Sequence, residues 1–386
     1  MEWPSTPIEH LSDFQPRHCP WRECAEHRRR RPGYRFRRHG FYATERRRRI
    51  PRFLCNSCKR TFSRQTFSVS YYRKRPGLLH RVAAALVAGS ALRQIARSLD
   101  CAPNTVARIS AHLGRHAMLL HARALDDLRG CLDEPIVFDH FETFEFSQDC
   151  PFGVGTAVGA RSWFVYGLDP APHRRSGRRS EAQQRRLRSR PKREFRGGLE
   201  ASTRRILDGL YGLRVPGDSL QLRCDAHPSY ERAVARHPER RRILKSTYAN
   251  PERGPKGSPR SRQAIERDRA MFPVDLLHSI LRHSLAHHRR ETIAFARRIN
   301  AAMERLALTA IWRNFIKKRS ERRSDAPPPA VEIGLTEARW SWKRALSRRL
   351  FFERCTLPEP WPALYRREWT TAVLPANARH DLTRSF

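Results

Sequence analysis

The segment EPIVFDHFETFEF, residues 134–146, is a short apolar run that is interrupted by one acid, Asp139. Its length and its aromatic and β-branched residues predict a buried β-strand. A carboxylate inside such a strand must be compensated, and a bound metal ion is one way to do so. The following segment GVGTAVGARSWFVYGLD, residues 153–169, predicts one or two further strands. An α/β domain with a site at Asp139 is therefore expected.

A second acid follows another predicted strand farther along the chain. The strand is LQLRC, residues 220–224, and Asp225 comes directly after it. Sites in open α/β sheets gather at the carboxyl ends of the strands. We therefore expect Asp225 to lie near Asp139.

The third acid is expected on a helix that begins at Pro273 and continues through VDLLHSILRHSLAHHRRETIAFARR, residues 274–298. At about 100° per residue, Asp275 lies opposite an arc of leucines, whereas Glu291 falls inside that arc. Asp275 is therefore the better candidate for a metal ligand and Glu291 the worse one. The alternative is that Asp275 only complements the helix dipole in the first turn.

Three carboxylates can hold two divalent ions, and hard oxygen ligands favour Mg²⁺ or Mn²⁺. The same helical projection places His278, Arg282 and Arg289 beside Asp275, so these side chains are expected to face a phosphate or the metal site.

Residues 77–130 have the pattern of a helix-turn-helix, with a helix expected over 78–88 and a tight turn at 100–102. Pro103 fits the first position of the second helix. Apolar residues recur with helical spacing on one face of each helix. The outward face of the second helix is expected to contact a DNA groove. It carries Asn104, Thr105, Arg108 and His112.

Two close cysteine pairs lie in residues 15–70, in the segments CPWREC and CNSC. Four thiolates suit tetrahedral zinc, and the residues between the pairs could form a hairpin or ribbon. The expected ligands are Cys19, Cys24, Cys55 and Cys58. The first pair has wide spacing, so His18 and His27 are possible substitute ligands. Four scattered free thiols are the alternative.

Charge is the outlier of the composition, with 77 Lys and Arg against 38 Asp and Glu and a net charge of +39 among 386 residues. Such a field attracts polyanions, and nucleic acid is the natural partner. A high arginine content can also arise from GC-rich coding without any function. Residues 173–196 hold eleven Arg and Lys, so a basic insertion is expected there. No apolar run could span a membrane, and no signal peptide is expected.

In their order along the chain, these motifs resemble bacterial insertion-sequence transposases of the DDE/DDD class, and the IS-one group most closely. The likeness covers residues 15–340. FLCNSCKRTFS resembles the zinc segment, ALRQIARSLDCAPNTVARI the helix-turn-helix, and IVFDHFETFEF and LRCDAHPSY the strands of the first two aspartates. DLLHSILRHSLAHHRRETIAFARR resembles the signature helix. His140 and His278 stand where the group usually has Glu and Asn. The resemblance implies that Asp139, Asp225 and Asp275 are catalytic.

The resemblance implies a multidomain α/β protein with an RNase H-like mixed sheet flanked by helices. Its expected domains are a zinc ribbon (15–70), an all-α helix-turn-helix domain (77–130), a catalytic domain (131–318) and a C-terminal tail (319–386). The tail's aromatic residues suggest packing rather than chemistry.

The expected activity is binding of element-end DNA, followed by metal-dependent phosphodiester hydrolysis and strand transfer into target DNA. A homodimer or larger synaptic complex in the cytoplasm, associated with the nucleoid, is expected. The alternative is a DNA-binding repressor with a decayed catalytic domain. RNA binding lacks support because no aromatic-rich sheet motif for stacking bases is present.

Overall fold

A computed structural model of the protein describes residues 14–371, apart from residues 31, 45–46, 175–179, 189–197, 253–254, 256, 290–291 and 324. The chain forms a mixed α/β structure with one small antiparallel sheet and one five-stranded mixed sheet.

The small sheet lies near the amino terminus and follows a one-turn helix. These elements are α1 (Ala25–Arg28), β1 (Phe36–Thr44), β2 (Arg47–Cys55) and β3 (Thr61–Ser63). The strands pair in the order β1-β2-β3, all antiparallel, with Phe36 opposite Cys55. The hairpin expected between the two cysteine pairs is therefore present.

Three helices follow, namely α2 (Leu78–Val87), α3 (Leu92–Ser98) and α4 (Pro103–Asp127). Pro103 begins α4 as expected, and Asp100 adopts a positive φ of 44° in the turn before it. Ile95, Val106 and Ile109 are buried where the three helices meet. The helices and the tight turn were thus predicted correctly, except that α4 is much longer than one recognition helix.

The large sheet consists of β4 (Ile136–Phe144), β5 (Pro151–Gly159), β6 (Val165–Pro172), β7 (Leu220–Cys224) and β8 (Ile243–Thr247). Its strand order is β6-β5-β4-β7-β8. Strand β5 pairs antiparallel with both β6 and β4, whereas β7 runs parallel to β4 and β8 runs parallel to β7.

Helices cover both faces of this sheet. Between β6 and β8 lie α5 (Glu181–Arg188), α6 (Gly198–Tyr211) and α7 (Pro228–Ala235), followed by α8 (Arg262–Ser284) and α9 (Ile299–Ile311). His140 of β4 contacts α6 and α7, whereas Thr156 of β5, which lies opposite Asp139, contacts His278 of α8. Since neighbouring strand residues point to opposite faces, α8 lies across the sheet from α6 and α7.

The predicted start and end of α8 were wrong. The helix begins at Arg262, where the Ser261 side chain accepts a hydrogen bond from the Ala264 amide, and Pro273 lies inside it. It ends at Ser284, well before residue 298. Ser261 provides the stronger start signal because a serine cap satisfies an amide that proline only avoids.

The chain after α9 makes a π-helical turn (Trp312–Ile316) and then short helices α10 (Pro329–Glu332), α11 (Trp342–Ala345) and α12 (Trp361–Arg366). Trp340 and Trp361 are buried in the main core, and the Trp361 indole donates to the Leu168 carbonyl at 2.8 Å. Phe351 packs in the separate core of the cysteine region. The packing expected of this tail is therefore present.

One hydrophobic cluster runs without a break from α2 through the sheet to α12. Helix α4 joins these parts because it packs along α9, where Arg115 and Glu304 form a buried ion pair at 3.1 Å. The domain boundary expected at residue 130 lies just after the end of α4, but the hydrophobic core continues across it. Within the described residues, no helix combines the length and the apolar character needed to cross a membrane.

Candidate metal centres

Cys19, Cys24, Cys55 and Cys58 form a compact cluster at the end of the small sheet. Their sulfur atoms lie within 4.8 Å of one another, with Sγ–Sγ distances of 3.7 Å for Cys19–Cys58 and 3.8 Å for Cys24–Cys55. A tetrahedral zinc with Zn–S bonds of about 2.3 Å separates its ligands by about 3.8 Å. The four cysteines can therefore bind a metal such as zinc, as predicted.

The two histidines considered as substitute ligands have another role. His18 and His27 each direct Nδ1 to the Cys19 carbonyl, at 2.9 and 2.8 Å. Burial, followed by the charge of Arg354, lowers the pKa of His18 to about 3. Both rings therefore stabilise the backbone at Cys19 from outside the sulfur cluster. The suggestion that they replace a cysteine was wrong.

Burial raises the pKa of the Cys19 thiol well above its usual value, and the neighbouring Cys55 and Cys24 raise it further. Such a group sheds its proton when a cation arrives, because the thiolate is the metal ligand. Metal binding at this cluster is thus expected to release protons and to stabilise a region with a small aromatic core.

Two of the three aspartates lie side by side on neighbouring parallel strands. Phe138 of β4 pairs with Cys224 of β7, so the residues that follow, Asp139 within β4 and Asp225 just after β7, lie at equivalent positions on the two strands. Asp225 accepts a hydrogen bond from the His227 amide at 2.9 Å and is half-buried. Asp225 therefore lies at the end of its strand as expected and close to Asp139, which lies inside β4.

Asp139 is held by two donors, as the His140 amide lies 2.7 Å from Oδ1 and the Tyr230 hydroxyl lies 3.0 Å from the same atom. Burial, followed by the negative charge of Asp225 and with a smaller contribution from Asp275, raises the pKa of Asp139 to about 7 against the effect of these two donors. An acid in this setting binds a cation readily because the cation relieves both burial and repulsion.

Asp275 lies on α8, which contacts both β4 and β7. Its carboxylate is ion-paired with Arg267, whose second terminal nitrogen lies 3.3 Å from Oδ1. Within the described residues, the four cysteines are the group of three or more ligand side chains close enough to share an ion. Cation binding by all three aspartates would thus require Asp275 to exchange Arg267 for the metal.

His278, which the helical projection placed beside Asp275, lies against Asp139. Its Nδ1 is 3.8 Å from Asp139 Oδ2, and its Nε2 is 2.8 Å from the Thr156 hydroxyl. Burial, then the charges of Arg282 and Arg267, lower the pKa of His278 to about 3. The ring is therefore neutral at physiological pH.

The two arginines expected beside His278 contact other groups. Arg282 donates to the carbonyls of Glu142 and His288, at 3.0 and 3.2 Å. Arg289 lies beyond the end of α8 and directs its guanidinium to the Gly89 carbonyl at 3.4 Å, so its placement on the helix was wrong. Glu291, the weaker candidate for the third acid, lies outside the described residues.

The residues expected to contact DNA lie at the start of α4 with one exception. Asn104 and Arg108 are exposed and Thr105 is half-exposed. His112 is buried, and its Nε2 lies 2.8 Å from the Val69 carbonyl. The prediction for His112 was wrong because α4 is enclosed by protein from residue 109 to 122.

Sequence reasoning missed Tyr230 and Arg267, the direct partners of two aspartates. Tyr230 lies in α7 five residues after Asp225, and only its spacing in LRCDAHPSY could have pointed to it. Arg267 precedes Asp275 by eight residues on one helix, a signal that the misplaced helix start concealed.

No known protein-family profile matches the sequence, and a comparison with curated proteins gives no match.

Proposed function

We propose that this protein is a transposase that cuts and rejoins DNA phosphodiesters with divalent metal held by Asp139, Asp225 and Asp275. The observation that carries the proposal is the adjacent placement of Asp139 and Asp225 on neighbouring parallel strands, with α8 carrying Asp275 nearby. The mixed sheet with helices on both faces supports an RNase H-like core, and the basic segment after β6 falls between two of its strands.

The donor set fits hard divalent cations because carboxylate oxygens are the ligands that Mg²⁺ and Mn²⁺ prefer. Ions bound there would activate the attacking water or 3′-hydroxyl and stabilise the departing oxygen. Asp139 and Asp225 would hold the ions, while Tyr230 and the His140 amide fix the Asp139 carboxylate. Water first cleaves one strand at the element's end and frees a 3′-hydroxyl. This hydroxyl then attacks the phosphorus of a target phosphodiester and displaces the 3′-oxygen of the target strand.

DNA binding is supported by the surface at the start of α4. Arg93 and Arg97 of α3 and Arg108 of α4 are exposed, and the two α3 arginines line one cleft with Pro103 at the start of α4. Exposed arginines neutralise phosphates, and the outward side chains of a second helix reach the major groove. We propose that this surface binds the ends of the DNA element.

A second basic surface lies between the cysteine region and the C-terminal segment. This cleft has a volume of about 790 Å³, and eight arginines and one aspartate line it. Arg17, Arg30 and Arg348 lie among them. The positive charge of the cleft favours binding of a polyanion. The cysteine region would therefore contact DNA in addition to the surface formed by α3 and α4.

The proposal is tested by incubating the full chain with a labelled DNA end and Mg²⁺ or Mn²⁺. We expect metal-dependent nicking by the wild type and none by Asp225→Asn, which keeps the size of the side chain. Asp218→Asn, on an exposed turn before β7, is a matched control and should leave cleavage unchanged. Nicking that persists in Asp225→Asn would contradict the assignment.

A DNA-binding repressor with an inactive catalytic domain is the second candidate. The ion pair between Arg267 and Asp275 favours it, because the third acid is neutralised by protein instead of being free for a cation. Intact DNA binding without any cleavage by the wild type would support this candidate. An Arg267→Ala variant that gains cleavage would instead assign the pair to a resting state.

A further inference from the structure

The proton positions around His278 follow from one hydroxyl group. Thr156 Oγ1 lies 2.8 Å from the Asp139 carbonyl oxygen, which can only accept, so the hydroxyl donates its single hydrogen there. The same Oγ1 lies 2.8 Å from His278 Nε2. With its hydrogen used, the hydroxyl accepts at this contact, and Nε2 carries the proton.

A neutral histidine that is protonated at Nε2 has a lone pair at Nδ1. This lone pair faces Asp139 Oδ2 across 3.8 Å, a separation too long for a hydrogen bond. A proton on Nδ1 would instead draw the two atoms into hydrogen-bond contact. When the Asp139 carboxylate is ionised, two acceptors therefore face each other with no donor between them in the described part of the chain.

Two facing acceptors at this distance lie within the range that two ligands of one metal ion can span. An ion with bonds of about 2.1 Å separates adjacent ligands by about 3 Å and opposite ligands by about 4.2 Å. The observed 3.8 Å lies between these limits. The hydrogen bond from Nε2 to Thr156 also resembles the outer contact that orients a metal-binding histidine.

We propose that His278 Nδ1 is a metal ligand beside Asp139 and that this nitrogen makes the site prefer Mn²⁺ to Mg²⁺. The inference rests on the proposed function, since it concerns the same cation site. Imidazole suits transition metals, whereas Mg²⁺ takes oxygen ligands, so one nitrogen shifts the preference of an otherwise carboxylate site.

The experiment uses the full chain, with one equivalent of zinc added to fill the cysteine cluster and then one equivalent of Mn²⁺. Pulsed electron paramagnetic resonance detects a nitrogen bound directly to Mn²⁺. Selective ¹⁵N labelling of histidine should change the coupling in the wild type. In His278→Ala and His278→Asn the coupling should vanish, and the dissociation constant for Mn²⁺ should rise at least about tenfold.

His283→Ala is the matched control because His283 is exposed on the same helix. This variant should keep both the coupling and the affinity. Nitrogen NMR of the metal-free wild type, which needs no substitution, should find the Nε2-protonated form of His278.

Three results would overturn the inference. Nitrogen coupling that persists in the His278 variants would assign it to another histidine. Mn²⁺ that binds the wild type without nitrogen coupling would remove His278 from the site and leave the proposed function standing. Mn²⁺ that binds only the cysteine cluster, or does not bind, would remove both.

Discussion

When no cation is bound at the aspartates, Asp139 should make the protein less stable as the pH rises. The folded state holds the Asp139 proton up to a pKa of about 7, because the side chain is buried and Asp225 is near, whereas an ordinary aspartate releases it near 3.8. The folded state therefore binds more protons than the unfolded chain between these values. Stability is fully present below the lower pKa and is lost as the pH rises through the upper one.

The magnitude follows from the two pKa values. They differ by about three units, which corresponds to about 4 kcal/mol when the whole range is crossed. About 3 kcal/mol of this falls between pH 5 and pH 8.5, a range that avoids acid release of the zinc. Asp139→Asn removes the titration and keeps an oxygen for the Tyr230 hydroxyl and the His140 amide.

Guanidinium unfolding of the zinc-loaded protein, without other divalent cations, provides the assay. The variant should be more stable than the wild type at pH 8.5, and its advantage should shrink by about 3 kcal/mol at pH 5. Added Mn²⁺ should stabilise the wild type at pH 8.5 and leave the variant unchanged, because the cation replaces the proton. An equal pH dependence of the two proteins would refute this account of Asp139.

Three further changes test other parts of the structure. Removal of zinc by a chelator, or Cys58→Ser, should expose the hairpin region to limited proteolysis, since bound metal supplies much of its folding energy; unchanged protection would contradict a metal-binding role. Glu304→Ala should cost about 3–5 kcal/mol in denaturant unfolding because it removes the carboxylate that is ion-paired with the buried Arg115, whereas Glu304→Gln should cost less; equal costs would argue against this explanation. Arg108→Ala should weaken DNA binding and reduce the slope of log affinity against log salt by about 1, which titrations at several salt concentrations would detect; an unchanged slope would place Arg108 away from phosphate.

The sequence was most informative where a local pattern determines local structure. The strand around Asp139, the strand before Asp225 and the helices up to Pro103 carry their own periodicity, so they were located correctly. The cysteine cluster was also found, because four thiols in two close pairs have few other arrangements in a small basic segment.

The errors arose where distant parts of the chain decide the outcome. His112 has the spacing of an exposed helical residue, yet packing against Val69 and the enclosure of α4 bury it. Pro273 has the character of a helix start, but Ser261 provides a better cap upstream. Because residue 289 lies beyond the true end of this helix, no projection along it could place Arg289.

Local sequence patterns also do not indicate which neutral side chain contacts a buried acid. The contact between His278 and Asp139 joins residues 139 positions apart, and the Thr156 hydroxyl that fixes the histidine proton comes from a third element. Only the packing of α8 across β4 and β5 brings these side chains together.

The most direct test is anomalous diffraction from crystals of the zinc-loaded protein soaked in Mn²⁺, recorded where manganese and zinc can be distinguished. The account predicts a manganese peak between Asp139 and Asp225, with zinc confined to the four cysteines. A map without manganese between these two aspartates, from crystals in which both are accessible to the soak, would contradict it.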